Sequence, residues 1–379
     1  MIPSTPRTHR RRPGFTLVEL LVVIVIIALL IGLLLPAIAG AVAAARNAAV
    51  QGEISQLASA LTDFKAKYGD YPPSRFLCCE NGYYNTSAAG SLAGTSCTDI
   101  SYGALAQRSI SYLRKFWPRV AVSTSGAVYS GTTFLDFNGN GSLDAPYVLE
   151  GHECLVFFLG GIPTSTVTNG QTVWGVSGFS KDPANPFVGA SNGAPNRSNP
   201  FFDFNSSRLA LTSTTATLPH IPGYQDSLKT GAFYAYFSAY GGNNYDANDV
   251  NFDPVANASE NQAASSLAET DANGTSPITL NFQVNFPVVA KVATNVAVSM
   301  PPNPYTSTGT NGLTPTYQSP NSFQILSAGA DGAYGLGGFY NPSATIPLVV
   351  DSANTNSTDT GVRNSEKDNL TNFRNGRLD

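Results

Sequence analysis

Histidine is scarce in this chain, and so is charge. Only three histidines occur among 379 residues, at positions 9, 152 and 220, and none sits beside a nucleophile or in a metal-ligand spacing. His152, flanked by Glu150 and Glu153, offers half a site at most; a surface or sheet histidine is the plainer reading. The HExxH, Walker A and dinucleotide-binding signatures are missing, which removes those three classes of enzyme as motif-based readings. No catalytic residue is assigned, and the chain is not read as an enzyme. Charged residues make up only 12%. Residues 1–13 hold Arg7, Arg10, Arg11 and Arg12 and no acid, so the remainder carries 17 bases against 25 acids, a formal −8. An acidic protein of this kind is a poor polyanion binder, which argues against nucleic acid as a partner. No repeat of fixed period is present.

Glycine, asparagine, serine, threonine and proline are plentiful, and aromatic residues reach 11%. That many Phe and Tyr can build a core, so the composition describes an exported, loop-rich β domain and not a disordered tail. About 300 residues remain beyond the N-terminal segments, enough for one large head or two subdomains.

The longest apolar run is at the start: Phe15 to Leu35 is interrupted only by Glu19. It is long enough to cross a bilayer. A carboxylate inside a membrane helix is costly, and by default marks a function with a partner to be named. Two plainer readings exist. One is a secretory signal cut after Ala37-Ile38-Ala39, although the run is longer than a usual signal core and a disposable signal has no use for an acid. The other is a simple anchor held by the four arginines on its cytoplasmic side.

The segment Arg10-Arg11-Arg12-Pro13-Gly14-Phe15-Thr16-Leu17-Val18-Glu19 resembles the class III signal of type IV pilins and type II secretion pseudopilins. The resemblance implies cleavage between Gly14 and Phe15 by a prepilin peptidase, methylation of the new N-terminal Phe15, and a role for Glu19, fifth residue of the mature chain, in assembly. A proline at the position of Pro36 is also usual in that family.

Beyond Pro36 the pattern stays helical. Ile54, Leu57, Leu61, Phe64 and Tyr68 recur at three- and four-residue spacing, with Gln51, Glu53, Gln56, Ser59, Asp63 and Lys67 on the remainder. Gly69-Asp70-Tyr71-Pro72-Pro73 should end the helix. From Phe15 to Tyr68 it would measure about 80 Å, with a kink or local melting at Pro36. Leu57 to Pro72 is similar to the end of the long helix in major pseudopilins. Past Ser74 the period shortens to β runs: Cys154–Leu159, Phe233–Tyr240, Ile278–Phe286, Val288–Val298, Phe323–Leu326 and Ile346–Val350. A continuous antiparallel sheet packed on the helix is expected. Ile110–Phe116 reads as a short second helix. Asp182–Asn205 and Tyr245–Pro277 read as polar surface insertions. The Tyr-rich run at Phe233–Tyr240 is expected to be sheet core on one face.

Asp136-Phe137-Asn138-Gly139-Asn140-Gly141-Ser142-Leu143-Asp144 repeats the first nine positions of a calcium loop, with side-chain oxygens from Asp136, Asn138, Asn140, Ser142 and Asp144 and a turn glycine at 141. Tyr147 stands where the twelfth-position Glu belongs, so Glu150 or Glu153 would have to complete the shell. The competing reading is an Asn-Gly hairpin tip whose side chains cap their own backbone. Ser327–Gly332 and Asp368–Phe373 look like two elements near the C-terminus of major pseudopilins, where the loop between them binds calcium; the resemblance extends that expectation to Asp331 and Asp368, although the intervening segment is much longer here. Cys78, Cys79, Cys97 and Cys154 are disulfide candidates on an exported domain. Adjacent Cys78 and Cys79 are poor partners for each other, which favours Cys97 with Cys154, with buried free thiols as the alternative.

Together these readings give an α+β, pilin-like chain: leader 1–14, transmembrane segment 15–35, amphipathic stalk helix and its end 36–73, and an unusually large β-rich head 74–379. The resemblance implies a filament subunit of a pseudopilus or type IV pilus, anchored in the inner membrane with a cytoplasmic leader and a periplasmic head. Its partners would be the prepilin peptidase and methyltransferase, other copies of itself, minor pseudopilins, a platform protein and an assembly ATPase. An exported binding protein or adhesin displayed on a pilin-type helix is the alternative.

Overall fold

The computed structural model describes residues 16–87, 102–189, 196–211, 221–228, 231–239, 245, 304–307, 316–334, 337–344, 347–348 and 366–379. Gly14, Phe15, Cys97, His220, the runs at 278–286 and 288–298 and all of the 245–277 stretch except Tyr245 lie outside the described residues. The layout is α+β, a long N-terminal helix followed by small sheets.

Helix α1 spans Leu17–Tyr68. It is continuous through Pro36, so no melting occurs there. The chain divides after Arg46 into two units. In the first, the described residues are helix with every side chain from Leu17 to Leu35 exposed. In the second, the stalk stripe is buried through Val50, Ile54, Leu57, Ala60, Leu61 and Phe64. Gly69 terminates α1 in the left-handed region at φ +87°, with its amide bonded to Lys65 O at 2.7 Å.

Two further helices pack around that stripe. Helix α2, Tyr102–Phe116, begins earlier than the sequence suggests. Helix α3, Gly151–Gly160, replaces the strand expected at Cys154–Leu159. All ten of its residues are buried, so no amphipathic period exists to betray the helix. What starts it is local: the Glu150 amide donates to Glu153 Oε2 at 3.0 Å, half of a capping box. Phe64 of α1 meets Phe116 of α2 at 5.1 Å and Phe158 of α3 at 5.9 Å, both edge to face.

The β structure is divided among five small sheets rather than one continuous sheet, counted among the described residues. β1 (Phe76–Cys78) pairs antiparallel with β2 (Tyr147–Leu149). β3 (Pro163–Thr168) and β4 (Gln171–Val176) form a hairpin. Its turn residues Asn169 and Gly170 are both at positive φ, 52° and 77°, as a tight primed turn requires. β5 (Leu209–Ala210) pairs with β6 (Gly223–Tyr224). β7 (Ala235–Ser238), β9 (Phe323–Ser327) and β11 (Leu370–Thr371) form an antiparallel three-stranded sheet in the order β11-β9-β7. β8 (Tyr305–Thr306) and β10 (Gly338–Phe339) pair in parallel.

The three-stranded sheet is covered on both faces, not one. Tyr236 and Ile325 join the core shared with α1, while Ala235, Phe237 and Leu326 join a second core with Tyr305, Tyr317 and Tyr340. The alternation of β7 thus feeds two cores at once. Asp182–Asn205 is not purely a surface insertion either. Phe187 is fully buried, 4.5 Å from Phe137 and 4.8 Å from Trp117. Arg197 donates to the carbonyls of Ser177, Gly178 and Val188, each at 2.7 Å, and so ties that segment to the end of β4.

Candidate functional site

The start of α1 is organised by two side chains. Glu19 Oε2 accepts from the Thr16 amide and from Thr16 Oγ1, both at 2.8 Å, and Thr16 Oγ1 accepts from the Glu19 amide at 3.2 Å. This is a capping box, with Thr16 at the cap and Glu19 three residues on; it satisfies donors that the first turn leaves orphaned. The Thr-x-x-Glu spacing was present in the sequence as a helix-start signal. Gly14 and Phe15, the other two residues of the expected processing and assembly site, lie outside the described residues.

Farther along α1, Glu53 gathers a polar cluster that sequence reasoning assigned to the exposed side. Arg208 makes two parallel bonds to its carboxylate, at 2.7 and 2.6 Å, and the hydroxyls of Tyr224 and Tyr234 add bonds of 2.9 and 2.6 Å. Burial works against the Glu53 charge, but Arg208 and the two tyrosines outweigh it, so its carboxyl titrates below its ordinary value. Arg208 is the last residue of a 3-10 turn, Ser206–Arg208, directly before β5, so the cluster fixes the head to the stalk. No local motif announces it, because the partners are 155 to 181 residues away.

The loop at 136–144 folds on itself as far as the sequence allows. The Asn140 amide donates to Asn138 Oδ1 at 3.0 Å, the Ser142 amide to Asn140 Oδ1 at 2.7 Å, and the Gly141 amide to Asp136 Oδ2 at 3.1 Å. Asn138 and Asn140 both donate through Nδ2 to Asp144 Oδ2, at 2.8 and 2.7 Å. Gly139 and Gly141 have φ of 72° and 76°. At Gly139 a Cβ would lie 2.5 Å from Pro163 O, so only glycine fits there. Neither Glu150 nor Glu153 completes this loop; both belong to the start of α3. The acid that does reach it is Glu80, just past β1, which sequence reasoning missed. Its Oε2 accepts the Asp144 amide at 2.7 Å and its Oε1 the Tyr147 hydroxyl at 3.1 Å. Burial, reinforced by the charges of Asp144 and Asp136, pushes Glu80 up to about 8. Burial likewise raises Asp136. Among the described residues no three His, Cys, Asp or Glu side chains form a closed metal-holding group.

Asp331 and Asp368 are brought together. Asp368 Oδ2 accepts the amides of Ala330 and Asp331 at 2.6 and 3.2 Å, closing the turn that begins at Gly329. Cys78, Cys79 and Cys154 are buried; burial pushes the Cys78 thiol well up. The expected pairing of Cys97 with Cys154 lies outside the described residues. His152 is buried in the first turn of α3, and burial lowers it to about 3, which keeps it neutral. It is neither a surface nor a sheet histidine.

Comparison with known proteins locates one match. Residues 9–35 match the family described as the prokaryotic N-terminal methylation motif. The match covers Arg10 to Arg12 at the end of the leader, the Gly14–Phe15 junction, Glu19 and the apolar run, and supports a type IV pilin-like chain processed at its N-terminus. No curated protein and no solved structure shows significant similarity to the chain.

Proposed function

We propose that the chain is a structural subunit of a pilin-type filament, either a periplasmic pseudopilus or a type IV pilus-like fibre, that serves protein secretion. One coincidence carries the reading. The segment that matches the methylation motif also bears a helix long and apolar enough to cross a membrane, with its apolar side chains exposed and a single acid near its start. Before assembly that surface meets lipid; afterwards it meets the same helix of neighbouring subunits. A prepilin peptidase cuts between Gly14 and Phe15 and methylates Phe15. The head lies in the periplasm and the leader in the cytoplasm, in keeping with the four arginines.

Assembly turns on Glu19. In the single chain its carboxylate is held by Thr16. In the filament the amino group of Phe15 on a neighbouring subunit takes up the same carboxylate, an ion pair in an apolar core. Leaving either ion unpaired there is expensive, so subunits in the wrong register are rejected. Minor pseudopilins, a platform protein and an assembly ATPase are the partners that go with this role. Calcium belongs to the same reading of the head, with the Asp331–Asp368 turn and the Asp136–Asp144 loop as its two candidate seats.

Glu19→Ala tests the proposal. Intact mass of the membrane-extracted variant should show loss of residues 1–14 and one added methyl group, as for the parent, while filaments fall to a few per cent or none. Normal fibres from that variant would remove the pairing mechanism, and a mature N-terminus at Gly40 would replace the whole reading with a secretory signal. The size of the head unit, Asn47–Asp379, favours one further reading, an exported binding protein displayed on a pilin-type helix. Recovery of the chain at every subunit position of purified filaments excludes it.

A further inference from the structure

The β3–β4 hairpin has one open edge. β4 lies against β5 and the 3-10 turn before it, while β3 pairs with β4 and with no other strand among the described residues. The turn decides which groups face that edge. A two-residue loop at Asn169-Gly170 makes Thr168 and Gln171 the closing hydrogen-bonded pair, so Thr164, Thr166 and Thr168 turn their backbone groups towards β4, and Ser165 and Val167 turn theirs away. Ile162, in phase with the inward set, accepts the Ser177 amide at 3.0 Å, as this alternation requires. The outer edge therefore presents the amides and carbonyls of Ser165 and Val167, both exposed.

An open edge is normally guarded by lysine, a bulge, an inward-pointing charge or a proline. Here Pro163 at the base is the one such guard within β3. Residues 161–180 hold no charged side chain, in a chain that carries a formal −8 beyond residue 13. Two acidic copies repel one another over most of their surface, but at β3 they meet with no like charges opposed. A charged peptide finds no counter-charge there. The edge is also its own complement. Set antiparallel about a two-fold axis at Thr166, Ser165 of each copy stands opposite Val167 of the other, and each of these two pairs exchanges two backbone bonds.

We propose that β3 is a self-recognising edge, which pairs with β3 of a second copy of this chain to make one four-stranded sheet shared by two heads. On the axis Thr166 faces its own counterpart, a non-hydrogen-bonded pair with Cα atoms about 4.5 Å apart. The β-branched side chains of Thr164, Thr166, Val167 and Thr168 suit such a pleated, half-covered surface. A two-fold contact closes on itself and does not propagate. It therefore builds no filament; in the filament reading it joins subunits of two separate filaments, and it stands whether or not that reading does.

The test is a cysteine scan of the full chain in detergent, with oxidised glutathione taking up the two electrons and two protons released by each disulfide. Cys78, Cys79 and Cys154 are buried, and the parent chain sets the background. Thr166→Cys should give a covalent dimer, because a Cα separation of about 4.5 Å lies within disulfide reach. Ser165→Cys and Val167→Cys should each give on the order of tenfold less when alone, and should cross-link when the two are mixed. Adding Val167→Pro to Thr166→Cys removes an outward donor from each copy but spares the bonds to β4, and should cut the dimer on the order of tenfold. All three positions are exposed, so each variant should keep the parent's melting midpoint. Four results would overturn the proposal: no dimer above background from Thr166→Cys; equal yields from the three single cysteines; a dimer indifferent to Val167→Pro; or slow amide exchange at Ser165 and Val167 in dilute monomer, which would mean that the chain's own residues already fill the edge.

Discussion

The two halves of α1 are built from similar apolar residues but use them in opposite ways. From Leu17 to Leu35 the helix is apolar all round and every one of those side chains is exposed. From Val50 to Phe64 a single stripe is apolar, and that stripe is buried under α2, α3 and the three-stranded sheet. Composition and arrangement both separate the halves: Leu17–Leu35 holds one charged residue, Glu19, whereas the stalk half carries Glu53, Asp63, Lys65 and Lys67 on the faces away from its apolar stripe. An all-round apolar helix is stable only where its surroundings are apolar on every side, whereas a striped one can build a water-facing domain on one face. The first half thus awaits lipid or other helices, and the second has already found its partner in the head.

The largest break of that comparison is a matched pair of truncations. Phe64 is fully buried, with ring centres 4.5 Å from Tyr68, 5.1 Å from Phe116 and 5.3 Å from Phe201. Phe64→Ala should cost about 3–5 kcal/mol of head stability. Ile27→Ala, on the exposed half, should leave the same unfolding curve unchanged. Trp117, packed within the head core, reports both through its fluorescence. Equal losses from the two changes would mean that the first half also supports the folded head.

What could be read in advance follows the same division. The stalk stripe and the end of α1 at Gly69 are local patterns that the structure bears out, and the N-terminal signal is a local pattern that falls in the segment matched by the methylation motif. Local chemistry also marked the 136–144 turn. Helix α3 was misread because a fully buried segment has no polar face to show its period. The Glu53–Arg208 cluster and the approach of Glu80 to Asp144 were invisible for another reason: each joins residues brought together only by the folded head. The double-sided burial of β7 was half legible, since its alternation was clear but the second core behind it was not.

A smaller break lies at the Glu53 cluster, where the stalk gains a polar bond to the head in addition to its apolar stripe. Glu53→Gln should cost about 2 kcal/mol at neutral pH, because Arg208 loses its counter-charge in a largely buried setting. The folded carboxyl titrates below its ordinary value of 4.5. Its contribution is therefore complete above that value and is lost as pH falls through the lower, folded one. Stability curves of parent and variant should converge in acid, and a constant gap across that range would show that packing, not the charge pair, accounts for the loss.

The smallest effect tests whether exposure predicts softness within the head itself. The β3–β4 hairpin is anchored at its base, where Val176 packs against Gly160, but Val167 near its tip is 75% exposed. At Gly170, with φ +77°, no atom lies within 4 Å of the place a Cβ would take, so Gly170→Ala meets no clash and suffers only from the left-handed backbone. That strain is about 1 kcal/mol. Because the tip touches little, the strain should appear as local opening: amide exchange from Thr166 to Val173 should quicken about fivefold, while the global midpoint hardly moves. If the midpoint instead falls by the full amount, the hairpin opens only with the whole head, and its exposed valines are held as firmly as the buried stalk stripe.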